Sequence, residues 1–202
     1  MSSNMSVRGT GEHYTGDLRQ DLIDAAAHLL AEQHPQVSLR EIARRAGVSH
    51  AAPAHHFGDR AGLFTAVATE GFTRFDRHLR AALTTVASTP TGQLAALGRA
   101  YAQFADEYPG HFAVMFQPAL IHSTDSAFAA AGDAAFGTLH RHIQDCQRAG
   151  WRRNADSRVL AAAAWSLAHG ISALRAQGSL AKHCPDTTLD GVEALINVLV
   201  NE

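Results

Sequence analysis

The stretch SLREIARRAGVSHAAPAHHF, residues 38 to 57, constrains the fold of this chain more than any other. Ser38 followed three positions later by Glu41 is a capping box, in which each side chain satisfies a free backbone donor at a helix start. Leu39, Ile42, Ala43 and Ala46 then recur at spacings of three and four, so one face of that helix is apolar. Gly47 ends it, because a residue without Cβ enters the left-handed region at no steric cost. Val48 returns to the core, Ser49 is placed to cap a second helix, and Phe57 closes the unit. Two short helices around a Gly-containing turn form a helix-turn-helix, whose second helix suits the DNA major groove.

The second helix carries mostly small groups: His50, Ala51, Ala52, Ala54 and His55. Small side chains let the backbone approach base edges, alanine methyls can meet the methyl of thymine, and histidines can reach bases or phosphates. Pro53 sits early enough to cost only the first intrahelical bond. A helical hairpin buried in a core is the alternative. Against it, Arg40, Arg44 and Arg45 lie opposite Leu39 and Ile42, where a buried hairpin would need apolar groups.

At 202 residues and 46% hydrophobic content, the chain can bury one substantial core and a small extra one. No apolar run approaches a membrane span, and the polar start MSSNMSVRGTGEHYTG lacks a signal-peptide core. Cys146 and Cys184 suggest no disulfide framework, so the expected setting is the reducing cytoplasm. Lys182 is the only lysine, against sixteen arginines, a bias that fits genome base composition. The net charge of −2 gives no global footprint of nucleic acid, but residues 38 to 60 hold four arginines against two acids. That local +2 is weak, so affinity should depend on two copies binding together.

Along the chain, residues 1 to 15 are expected to be a disordered tail. A first helix is expected over 17 to 33, with Leu18, Leu22, Ala26, Leu29 and Leu30 as its buried stripe and Pro35 as its stop. A long helix from Asp59 to about 86 carries Leu63, Phe64, Val67, Phe72, Phe75, Leu79 and Leu83 at helical spacing and would link the DNA-reading unit mechanically to the rest. Thr89-Pro90-Thr91 breaks the chain before a helix over 93 to 108, Pro109-Gly110 interrupts again before a short helix over 111 to 116, and 119 to 126 is loop-like. Further helices follow over 126 to 149, 156 to 177 and 188 to 200. No strand pattern is present, so the fold class is all-α: an N-terminal three-helix helix-turn-helix domain over 16 to 64 and a C-terminal helical ligand-binding and dimerisation domain over 65 to 202.

From Leu18 to Phe64 the chain resembles the TetR family of bacterial transcriptional regulators, through LIDAAAHLLAE, SLREIARRAGVS, HHFGDRAGLF and their spacing. Its C-terminal part is similar to the subgroup carrying Trp-His-Gly, here Trp165, His169 and Gly170, and YAQFADEYPGHFAVMF looks like that subgroup's aromatic turn. The resemblance implies that Ser38, Arg40 and Arg45 contact or face phosphates, that Ser49 caps the recognition helix beside a phosphate, and that His50, Ala51, Ala52 and His55 face the groove. Arg60 would stand where a basic residue touches the backbone. Family members generally have tyrosine where this chain has Ala54, so binding would be weaker or lean on His55 and His56. The resemblance also implies a homodimer built from the last two helices. The small face Ala162, Ser166, Gly170 and Ala173 independently allows close helix approach, although the final apolar stripe could pack within one chain instead.

An effector pocket is expected among Phe104, Tyr108, His111, Phe112, Met115, Phe116, Phe136, His140, Trp165 and His169, an apolar set with a few polar groups. Any single Phe or Met in it is more often ordinary core. The expected partners are a double-stranded DNA operator, a small, largely apolar organic effector and a second copy of the chain, with no membrane and no cofactor. Metal sensing is the nearest rival: there are thirteen histidines, and His142 and Cys146 lie four apart on one helical face, yet no third ligand is close in sequence. An enzyme is the rival from another class, but no nucleophile elbow, phosphate-binding Gly loop, zinc-protease helix or Cys-x-x-Cys pair is present. A purely architectural DNA-binding protein would not need the residues beyond the helix-turn-helix.

Overall fold

A computed structural model describes residues 18–33, 36–85, 89–184 and 186–200. The expected tail, the Pro35 stop, Val86 and the Leu199 side chain lie outside the described residues. Helices follow in the order α1 (Leu18–Gln33), α2 (Leu39–Arg45), α3 (Ala52–Phe57), α4 (Arg60–Thr85), α5 (Pro90–Glu107), α6 (Pro109–Met115), α7 (Ser126–Arg148), α8 (Ser157–Ala176) and α9 (Leu189–Val200), with no strand among the described residues.

The local signals that start and stop these helices act through identifiable bonds. Ser38 Oγ accepts from the Glu41 N–H at 3.3 Å, and Glu41 Oε2 accepts from the Ser38 N–H at 2.9 Å, completing the capping box. Gly47 ends the α2 turn at φ +70°, and the Val48 N–H donates to the Ala43 carbonyl at 3.0 Å. Asp59 Oδ1 accepts from the Gly62 N–H at 2.7 Å at the head of α4, and Asp156 does the same for Arg158 and Val159 at the head of α8.

Three expected boundaries differ. Thr89-Pro90-Thr91 does not precede a helix at a distance: Thr89 caps α5 and Pro90 is its first residue, where a fixed φ is pre-organised and the missing N–H is an orphan anyway. Pro109 opens α6 for the same reason, two residues earlier than expected. Ser49 does not cap the recognition helix. Its carbonyl accepts from the Ala52 N–H at 3.0 Å within the turn, Ala51 occupies the cap position without a side-chain bond, and Pro53 falls in the first turn, where it removes no helical bond.

The core runs continuously from Leu22, Ile23, Leu29 and Leu30 of α1 through Leu63, Phe64, Val67 and Phe75 of α4 to Leu94, Leu97 and Phe104 of α5. α4 packs on α1 and α3 near its start and on α5, α6 and α7 further along. α6 lies directly against α1: a Cβ on Gly110 would sit 1.8 Å from the Ala27 carbonyl oxygen, so the approach needs glycine there. α5 supports α8 and α9, which touch each other little. By length and composition alone α8 would be apolar enough to cross a membrane, at a mean hydropathy of 1.2, a test that core helices of globular proteins also pass. Val159, Leu174 and Val198 stand 66%, 46% and 63% exposed on α8 and α9, so these two helices leave an apolar face uncovered.

Candidate DNA-reading face and effector cavity

The segment after Gly47 is presented outward. Ser49, His50, Ala51, Ala54, His55 and His56 are exposed, Ala52 is half-buried, and Pro53 faces the core together with Phe57. His50 and Ala51 belong to the turn ahead of α3 rather than to its helical face. The His55 and His56 rings meet edge to face at 5.4 Å. Arg40, Arg44 and Arg45 are exposed beside this surface, and the half-buried Arg60 lies 5.1 Å over the Phe64 ring. Ser38 is exposed, and its hydroxyl is committed to Glu41 at 2.6 Å. Arg45 forms a fork-to-fork pair with Glu32 of α1, at 3.2 and 3.3 Å, a partner the sequence reading missed because it lies thirteen residues away on another helix.

Three polar or steric links join this head to the helices behind it. Gln20 Nε2 donates to Glu70 Oε2 at 2.8 Å, and Arg74 Nε donates to Glu70 Oε1 at 2.6 Å, tying α1 to α4. Burial raises the Glu70 pKa, but the Gln20 and Arg74 hydrogen bonds outweigh it and hold the carboxyl below its usual range. His111 of α6 stands 3.6 Å from the same carboxylate, with Nε2 buried and without a hydrogen-bond partner, and burial pushes its pKa down. In the connection between α6 and α7, the His122 backbone N–H donates to Thr65 Oγ1 at 2.8 Å and His122 Nε2 lies 3.1 Å from Asp59 Oδ1. The Gly62 N–H, aided by His122, keeps Asp59 below the ordinary carboxylate range. The third link is the close seat of Gly110 on Ala27.

Of the ten residues expected around an effector, nine join one network of ring contacts. Phe104 stacks on Tyr108 at 5.0 Å, Tyr108 meets His111 at 5.9 Å, and His169 meets Phe112 and Phe116 at 5.5 and 4.7 Å. Trp165 touches Phe116 and Phe136 at 6.3 and 5.8 Å, and Phe136 stacks on His140 at 6.4 Å. Met115, the tenth, is buried where α6 crosses Gly71 of α4. The Tyr101 hydroxyl and His169 Nδ1 are hydrogen-bonded at 2.8 Å, and burial lowers the His169 pKa and raises that of Tyr101. His140 Nε2 bonds Ser157 Oγ at 2.8 Å. These groups are packed against one another.

The open space lies beside them. A cavity of about 260 Å³ sits among α4, α5, α7, α8 and α9, lined by Phe75, Leu79, Leu94, Leu97, Tyr101, Leu139, Leu160, Ala164, Ala168 and Ile196. Trp165 is the one member of the expected set on its wall, and Trp151 and Arg152 stand at its rim. The small residues Ala161, Ala164 and Ala168 on one side of α8 are the signal that could have pointed there. His142 and Cys146 are both buried, with His142 Nε2 bonded to the Pro90 carbonyl at 2.8 Å and 3.7 Å from Cys146 Sγ. Among the described residues no group of three His, Cys, Asp or Glu side chains could hold a metal ion.

An outward recognition segment on a three-helix head, rooted in a larger helical body with its own cavity, defines a DNA-binding transcriptional regulator. A family model described as bacterial regulatory proteins, tetR family, matches residues 22–67, and one described as tetracyclin repressor-like, C-terminal domain, matches residues 94–199. The chain belongs to the TetR family. No curated relative matches it. Among solved structures it is similar to a protein of unknown function from Rhodococcus sp. RHA1, at 29% identity over 96% of this chain and 98% of that one, with a TM-score of 0.81. It shares its fold with the fatty acid degradation regulator FadR from Bacillus halodurans, at 16% identity, 90% and 95% coverage and a TM-score of 0.72. The regulator PfmR from Thermus thermophilus is similar in fold too, at 19% identity, 89% and 97% coverage and a TM-score of 0.69.

Proposed function

We infer that this chain is a homodimeric repressor, working in the cytoplasm, that binds a pseudo-palindromic operator and is released by a small, largely apolar organic effector. The observation that carries this is the exposed, small-residue segment from Ser49 to His56, flanked by Arg40, Arg44 and Arg45. In this reading His50, Ala51, Ala52 and His55 face bases, while Ser38, Arg40, Arg45, Ser49, His56 and Arg60 face phosphates. The uncovered apolar face of α8 and α9 supports pairing with a second copy, which would set two recognition helices about 34–36 Å apart on successive major grooves. The apolar cavity supports an effector that favours a different spacing, lowering DNA affinity by its differential binding energy, typically ~1–3 kcal/mol. The Gly110–Ala27 seat and the Gln20–Glu70–Arg74 link would carry the strain to the head.

The test is a mobility-shift titration of the full chain and its Arg45→Ala variant across a salt series. Loss of one phosphate contact should weaken binding on all sequences alike and flatten the log–log salt slope by about 0.9 per protomer. Unchanged affinity in Arg45→Ala contradicts the contact assignment.

A further inference from the structure

The chemistry of the cavity narrows what it can hold, and the inference rests on the effector-site reading above. Among the described residues, the inner wall is apolar apart from the Trp165 indole N–H and Tyr101, whose hydroxyl is already bonded to His169 Nδ1. A buried ligand segment therefore finds little to bond beyond the Trp165 indole N–H, and a polar group placed elsewhere on the wall would cost its desolvation. The rim differs: among the described residues, Arg152 is the one charged group lining the cavity. Its guanidinium lies 5.5 Å over the Trp151 ring and forms no ion pair with a described residue. The nearby acids are committed elsewhere, Asp156 to the backbone N–H groups that open α8 and Asp145 to Arg148. Arg152 also holds φ at +42°, and it alone among the described non-glycine residues has a positive φ. Such a conformation is disfavoured for a residue with a Cβ and persists where surrounding structure enforces it, as at ligand sites. The Gln147 side-chain amide helps enforce it, donating to the Arg152 carbonyl at 3.1 Å.

We propose that the cavity takes an anionic amphiphile: an unbranched or aryl-alkyl body within the apolar wall, and a carboxylate at the rim on the Arg152 guanidinium. A guanidinium presents a planar fork matched to a carboxylate, and the apolar wall selects against a polar body. At ~30 Å³ per water-sized group the volume holds roughly nine such groups, which sets the scale at a medium-chain carboxylate.

Both tryptophans of the chain, Trp151 and Trp165, line the cavity, so intrinsic fluorescence reports its occupancy directly. The full-length protein is titrated below micellar concentrations with decanoate, decan-1-ol and decyltrimethylammonium. Decanoate should bind about tenfold or more tighter than decan-1-ol, the order that a charge-assisted bond gives, and the ammonium should bind weakest. In Arg152→Gln the acid and the alcohol should bind alike, while Ala164→Phe, which fills the cavity, should lose both. Equal binding of acid and alcohol by the wild type overturns the anionic class and leaves the effector cavity standing. A preference for acid that survives in Arg152→Gln overturns the role of Arg152. Absence of any fluorescence response to all three probes overturns the cavity as an effector site together with the ligand class.

Discussion

The two ends of the molecule are held together in opposite ways. Around α2 and α3 the chain is fixed by short-range devices: a capping box, a glycine at φ +70° and a proline in the first helical turn. Little apolar surface is buried there, and Ile42, Ala43 and Pro53 are its buried residues. Around α5 and α8 the reverse holds, with Phe75, Tyr101, Phe104 and Trp165 meeting in a dense set of ring contacts between residues far apart in sequence. A surface built from local devices can change its exposed side chains at small cost in stability, which suits a segment that reads bases. A core built from interlocked rings resists substitution and can hold a void beside it.

The largest effect expected from this contrast is a substitution at its rigid end. Phe104 is fully buried against Phe75 and Tyr108, so Phe104→Ala should cost about 3–5 kcal/mol and lower the melting temperature by roughly 10 °C or more. His55→Ala, on the exposed end, should leave the melting temperature within a degree or two and relax base preference instead. Differential scanning calorimetry on the two variants separates the regions, and equal losses would erase the distinction.

The junction comes next. Gly110→Ala puts a methyl group against the Ala27 backbone and should cost about 1–3 kcal/mol by prising α6 from α1. DNA affinity measured with and without effector should then differ less than in the wild type, because the two ends are less firmly joined. A variant that melts lower yet keeps full effector response would show that the link runs elsewhere.

Acid should loosen the same junction. His111 has its folded pKa lowered, so its contribution is present above its unfolded pKa near 6.5 and is lost as pH falls below that value. Glu70, also lowered, contributes above its unfolded value of about 4.5 and is lost as pH falls through its folded pKa. The melting temperature should therefore fall in two stages on acidification, and His111→Gln should shrink the first, leaving the part contributed by His169, whose pKa burial also lowers. A flat profile between pH 7 and 5 would contradict the placement of His111 as a buried neutral group.

The smallest effect concerns Glu32, which shares the guanidinium of Arg45 and places a negative charge beside the phosphate-facing surface. Glu32→Gln should raise DNA affinity several-fold at low salt and leave stability nearly unchanged, since an exposed pair contributes about 0–1 kcal/mol. Isothermal titration with a short duplex checks this, and weaker binding by Glu32→Gln would mean that the pair positions Arg45 productively.

What the sequence made legible follows the same division. The α2–turn unit was readable because its signals lie within a few residues of one another, as with Ser38 and Glu41, and because Gly47 has one conformational purpose. The residue type of Ser49 suits a cap, but the helix starts three residues later, where Pro53 can enter the first turn. In the C-terminal part, helical spacing placed Leu94, Leu97 and Phe104 in the core, but spacing cannot show where packing is incomplete. The void arises where Leu79, Leu94, Leu160 and Ile196 fail to meet across small residues of α8, a property of five helices at once. The large aromatic residues drew attention to the full part of the domain, beside the empty part. Arg152 gave no sign in the sequence, because its backbone conformation and its place at the rim exist only in the folded chain.

The central claim is that the exposed segment after Gly47, used in two copies, reads DNA. Selection of bound duplexes from a random pool by the purified full-length chain tests it most directly. The prediction is an inverted repeat with half-site centres one helical turn, about 34–36 Å, apart. An unenriched pool, or a single half-site without a symmetric mate, would contradict it.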